Sequence, residues 1–154
     1  MRKPFTLQPL LNLAVLKNES ATRELGERNR QQGDAQSKLE ALQQYRKEYQ
    51  ARLQESTRSG MTPADLRNFQ KFINKLDAAI EQQRKVLDQS KQSVQLGRGE
   101  FQTTQRKLKS FTTLEERHIE AQKKGEAKSE QLASDEHSGR FAAYRMLSAN
   151  DKNH

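Results

Sequence analysis

Apolar residues recur along this chain at alternating steps of four and three, the signature of a helix that buries one narrow stripe. From Leu7 the steps fall on Leu7, Leu11, Ala14, Asn18, Ala21, Leu25, Arg28, Gln32, Ala35, Leu39, Leu42, Arg46, Tyr49 and Leu53. Ten of these 14 positions are apolar or aromatic in a chain that is 32% hydrophobic, so the period stands well above background. Steps of three and four from Leu66 give Leu66, Phe69, Ile73, Leu76, Ile80, Gln83, Leu87, Ser90, Val94, Gly97, Phe101, Thr104, Leu108 and Phe111. Eleven of these 14 are apolar with Gly97 counted, which predicts a second helix with its own seam.

Between the two runs stands Ser59-Gly60-Met61-Thr62-Pro63. Gly ends a helix in a left-handed conformation, and Thr62 with Pro63 opens the next as N-cap and first helical residue. At the start of the chain, Thr6 is expected to cap the first helix, with Pro9 tolerated in the first turn because its missing N–H has no helical partner there. Folding about Gly60 brings Tyr49 near Phe72, Leu39 near Ile80, Leu25 near Val94, Ala21 near Gly97, and Leu7 near Phe111. The expected fold is all-α, a long antiparallel two-helix coiled coil of about 75 to 80 Å at about 1.5 Å per residue. A parallel dimer uses the same stripes, but the bend argues for a hairpin and hence a monomeric rod.

Residues 1–120 form this hairpin, with its bend at about 58–63. The second seam fades after Phe111, because the next steps are Glu115, His118, Gln122, Gly125 and Ser129. Residues 121–154 are expected to form a helical extension or a partly disordered tail. An apolar group returns at Phe141, Ala142, Ala143, Tyr144, Met146 and Leu147, flanked by Arg140 and Arg145. It is either a frayed helix end or a docking patch.

Composition narrows the classes. With 31% charged residues and a mean hydropathy of -1.12, the 154 residues do not supply a compact core. The net charge of +8 suits nucleic acid, an anionic surface or an acidic protein. Lys and Arg outnumber Asp and Glu by 10 to 7 in residues 1–57, 12 to 8 in 58–120 and 6 to 5 in 121–154. Charge spread this evenly argues against a dedicated nucleic-acid arm. The absence of Cys excludes disulfides and thiolate metal sites and fits a reducing compartment. Met1-Arg2-Lys3 before an apolar run imitates a signal peptide, but Gln8, Pro9 and Asn12 interrupt that run, so none is expected. No stretch reaches the roughly 20 apolar residues of a membrane span.

Candidate chemistry is sparse. Glu115, Glu116 and His118 have helical ligand spacing, but metal sites in bundles draw facing ligands from several helices, so a solvated face is the better reading. His137 and His154 stand alone. Gly97-Arg98-Gly99 follows no strand and lacks a P-loop lysine, and reads as a soft spot in a helix. No catalytic group, metal, cofactor or small-molecule substrate is expected. The aromatic cluster Tyr45, Tyr49, Phe69 and Phe72 is different. Tyr49 and Phe69 serve the seam, whereas Tyr45 and Phe72 lie beside it with Leu42, Leu76 and Ala79. That surface is wider than two helices cover, which points to a partner-binding face.

Three segments resemble the FliJ family of flagellar type III export proteins. They are Phe5-Thr6-Leu7-Gln8-Pro9-Leu10-Leu11, the run from Leu42-Gln43-Gln44-Tyr45 to Tyr49, and the run from Asn68-Phe69-Gln70-Lys71-Phe72 to Gln82. The resemblance covers about residues 5–120. It implies a cytoplasmic export component, peripherally associated with the inner membrane through the apparatus and similar in shape to the central stalk of rotary ATPases. In that family the paired termini enter the ring of the hexameric export ATPase, a face near the bend meets the cytoplasmic region of the export gate, and export chaperones are recycled. Carried over, the gate-facing surface is Leu42, Tyr45, Tyr49, Phe72, Leu76 and Ala79, with Lys38 and Gln83 on its flank. Arg2, Lys3, Arg106, Lys107, Lys109 and Arg117, at the open end, become candidates for the ATPase ring. The alternatives are the stalk of a virulence type III secretion system, or a basic coiled-coil nucleic-acid-binding or chaperone-like protein.

Overall fold

The computed structural model describes residues 3–151. They form two helices, α1 (Gln8–Ser59) and α2 (Pro63–Asp151), with no strand among the described residues. The fold is the expected all-α antiparallel hairpin. Gly60 makes the turn at φ 93°, in the left-handed region that a side chain disfavours, and its amide donates to the Thr57 carbonyl. Thr62 caps α2: its Oγ1 accepts from the Asp65 amide at 3.2 Å and its carbonyl from Leu66 at 3.1 Å, with Pro63 as the first helical residue. Asp65 in the first turn of α2 and Arg58 in the last turn of α1 complement the helix dipoles.

The chain divides into two units. One is Val15–Arg106; the other joins the described residues up to Ala14 to those from Lys107 onward. In the first unit Ala35, Leu39, Ile80 and Leu87 form a buried cluster with Leu42 packed against it. Leu76 and Val94 are buried on the same seam. All the stepped positions of this unit on α1, from Asn18 to Leu53, are buried or half-buried, so the heptad reading of α1 holds residue by residue. Several seam positions that lack an apolar side chain make polar contacts across the hairpin. Asn18 donates to Thr104 Oγ1 at 3.2 Å, Arg28 to Ser93, and Gln83 Nε2 to the Ala35 carbonyl at 3.1 Å. Such pairs offset the cost of polar atoms in a seam and work in one register only.

Four expectations are corrected. Leu66 does not join the seam; it is exposed and borders an open groove with Leu53 and Thr57, so the α2 seam begins at Phe69. Gly97 lies nearest to Leu25 and Arg28 where Ala21 is the expected neighbour, and its missing side chain leaves room for the Arg28 stem. Thr6 does not cap α1; residues 5–8 form a turn in which the Phe5 carbonyl accepts from Gln8, and Leu7 occupies the cap position.

The fourth correction concerns the second unit. The α2 seam does not fade at Phe111: Glu115, His118 and Gln122 are half-buried. The cover of His118 and Gln122 is the extended segment before α1. The Phe5 ring lies 5.5 Å from the His118 ring, and the Lys3 carbonyl accepts from Gln122 Nε2 at 2.6 Å and meets His118 Nε2 at 3.0 Å. An extended partner segment needs no helical period, which is why stepping along the sequence misses it. From residue 123 to 150 the side chains of α2 are exposed.

Candidate protein-interaction site

Two turns of α1 and two of α2 carry the aromatic cluster of the first unit. Tyr45 and Tyr49 are one turn apart, with ring centroids at 6.4 Å. Across the hairpin, Tyr49 packs on Phe72 at 4.5 Å and on Phe69 at 4.9 Å. Tyr45 meets the Phe72 ring edge-on at 6.0 Å and an interplanar angle of 81°. Tilted and edge-to-face geometry places positive ring edges against negative faces, worth about 0.5–1.5 kcal/mol per pair beyond burial. Three of the four rings are half-buried, and Tyr45 keeps 45% of its surface exposed. The cluster thus serves as seam on one side and as surface on the other.

The expected gate-facing residues differ in what they present. Leu42, Tyr49, Phe72 and Ala79 are half-buried beside the exposed Tyr45, and Lys38 is exposed on the flank. Leu76 is buried, 7% exposed, and supports the face from beneath. The Gln83 amide is engaged with the Ala35 carbonyl. Beside the rings an ion pair joins Arg46 to Asp77, and the Arg46 guanidinium also donates to Gln50 Oε1 at 3.0 Å. The hydrogen bond that Arg46 donates to the Asp77 carboxylate, together with that carboxylate's negative charge, raises the Arg46 pKa above the ordinary guanidinium value. Arg46 therefore stays charged, and the pair fixes the two helices at the edge of the aromatic layer.

The basic residues expected to meet an ATPase ring fall in both units. Arg106 belongs to the first and is exposed; Lys3, Lys107, Lys109 and Arg117 belong to the second and are exposed. Arg2 and His154 lie outside the described residues. Sequence reasoning missed the apolar surface of the second unit, where Leu10, Leu13, Leu114 and Ile119 are each at least 40% exposed. The run Leu10-Leu11-Asn12-Leu13-Ala14 carries the signal, because apolar residues there extend beyond one stripe. His118, read as a possible ligand, is instead occupied by Phe5 and the Lys3 carbonyl. Among the described residues no group of three or more acidic, His or Cys side chains is placed to hold a metal, and no helix is long and apolar enough to cross a membrane.

Comparison with known proteins finds relatives along nearly the whole chain. The family model described as "Flagellar FliJ protein" matches residues 2–146. The Flagellar FliJ protein of Escherichia coli (strain K12) is 33% identical over 142 residues, 92% of this chain and 97% of that protein. The Flagellar FliJ protein of Salmonella typhi is 32% identical over the same length and shares. Among solved structures, one described as a YscO homolog, CT670, from Chlamydia trachomatis has a TM-score of 0.48 and 15% identity, covering 96% of this chain and 98% of that one. The family match over nearly its whole length and the two Flagellar FliJ proteins show that the chain belongs to the FliJ family of flagellar proteins.

Proposed function

We propose that this chain is a non-catalytic stalk component of the flagellar protein export apparatus, acting in the cytoplasm and held at the inner membrane through its partners. The paired ends engage the hexameric export ATPase, the aromatic face near the bend engages the cytoplasmic region of the export gate, and export chaperones are handed on by the same molecule. Residues 121–154, the extension beyond the hairpin, carry exposed Leu132, Phe141, Tyr144, Met146 and Leu147, available to a further partner. A stalk of this kind alters nucleotide turnover by touching different ring subunits unequally, which needs differential contacts and no catalytic group.

The observation that carries the reading is Tyr45. Its ring is half exposed yet fixed edge-on against Phe72, an amphipathic anchor already ordered before any partner arrives. Among the FliJ relatives the match runs through this region without restriction to the ends. The test is affinity for the purified cytoplasmic region of the gate. Wild-type chain binds, and Tyr45→Ala weakens binding at least about tenfold, as loss of an aromatic anchor does. Equal affinity of the two forms removes the face from the account.

A further inference from the structure

We propose that residues 26–33 of α1 and 90–99 of α2 form a compliant joint within the hairpin, a section whose backbone opens more readily than the sections on either side. Three observations meet there. First, Gly26, Gly33 and Gly99 lie inside helices, and a Cβ built at any of them meets nothing within 4 Å. Packing therefore does not require glycine at these positions, and none has positive φ. Each loosens its helix relative to alanine with no compensating contact. Gly97 is separate, since it is buried beneath Arg28.

Second, the seam is more polar here. Arg28, Gln32, Ser90 and Ser93 share the interface with the buried Val94 and the half-buried Leu25, whereas the section nearer the bend has Leu39, Leu76, Ile80 and the aromatic layer. Less apolar area holds the two helices together. Third, side chains in and beside this section take helix carbonyls. The Arg28 guanidinium donates to the Ser93 carbonyl at 3.1 Å, Ser90 Oγ to the Leu87 carbonyl at 2.6 Å, and Thr103 Oγ1 to the Gly99 carbonyl at 3.0 Å. Competition for these acceptors weakens and bends helices. Bending of the unit concentrates in this joint, and the aromatic layer keeps its geometry. This inference does not depend on the export reading.

Hydrogen exchange of the full chain, followed by mass spectrometry at neutral pH, tests it. Amides in 26–33 and 90–99 exchange at least about tenfold faster than those in 38–46 and 73–81. The combined variant Gly26→Ala, Gly33→Ala, Gly99→Ala slows exchange in the joint by about fivefold or more while rates in 38–46 change little. Uniform protection in the wild type overturns the proposal. So does a variant that leaves the joint's rates unchanged, or one that slows every segment equally, because glycine then acts on global unfolding alone.

Discussion

Arg28 lies across Gly97, its Cδ only 2.8 Å from where a Gly97 side chain would begin, and its guanidinium reaches Ser93 Oγ at 2.9 Å and the Ser93 carbonyl at 3.1 Å. The missing side chain and the long one are a single packing solution. Truncating Arg28 to alanine is expected to cost about 1–2 kcal/mol, from two hydrogen bonds and the buried stem. In a Gly97→Ala background, where the new methyl group has already displaced that stem, the same truncation costs less than half as much. Urea unfolding of the four forms reads the coupling, and additivity within about 0.3 kcal/mol would contradict the contact.

The core and the aromatic face separate by stability. Leu39→Ala and Leu76→Ala each remove a buried side chain and should cost about 2–4 kcal/mol. Tyr45→Ala, at a half-exposed position, should cost below about 1 kcal/mol. Thermal or urea unfolding ranks the three. A Tyr45 cost equal to that of Leu76 would show that the ring is structural and would weaken its role as an anchor.

The segment before α1 is held by a ring and by a backbone carbonyl. Phe5→Ala should release it, raising hydrogen exchange in residues 111–122, because His118 and Gln122 lose their cover. Lys3→Ala should leave protection there unchanged, since Gln122 and His118 meet the carbonyl of residue 3 and not its side chain. Equal effects of the two substitutions would contradict this picture.

How far the fold was legible depends on what each residue has to pack against. Leu39 and Ile80 repeat with the helix and meet a repeating partner, so periodicity alone locates them. Thr62 and Gly60 act through local backbone chemistry, which is also legible. Phe5 escapes a periodic reading because it is not helical, and the place of Gly97 opposite Arg28 depends on how a long side chain bends, which spacing does not encode. In the candidate site, the meeting of Tyr45 with Phe72 follows from the register, but the burial of Leu76 beneath them does not, because neighbouring apolar positions share one pattern. Exposed lysines are less legible still, since nothing in their spacing tells a ring contact from a solvated face.

For that reason the basic residues are tested by charge reversal. Lys107→Glu with Lys109→Glu changes two exposed positions and should leave stability within about 0.5 kcal/mol of wild type. Under the proposed ring contact the pair reduces ATPase binding, most strongly at low salt, while gate binding persists. Unchanged ATPase binding at low salt assigns the contact to other surface.

The most direct measurement is the turnover rate of the cognate export ATPase, under conditions where it assembles its ring, with and without this chain and with the Tyr45→Ala, Phe72→Ala variant. The account predicts stimulation by both forms, because the proposed function assigns the aromatic face to the gate and the ATPase contact to the paired ends. Absence of stimulation by the wild-type chain would contradict the stalk reading, and stimulation lost only in the aromatic variant would move the ATPase contact to the bend.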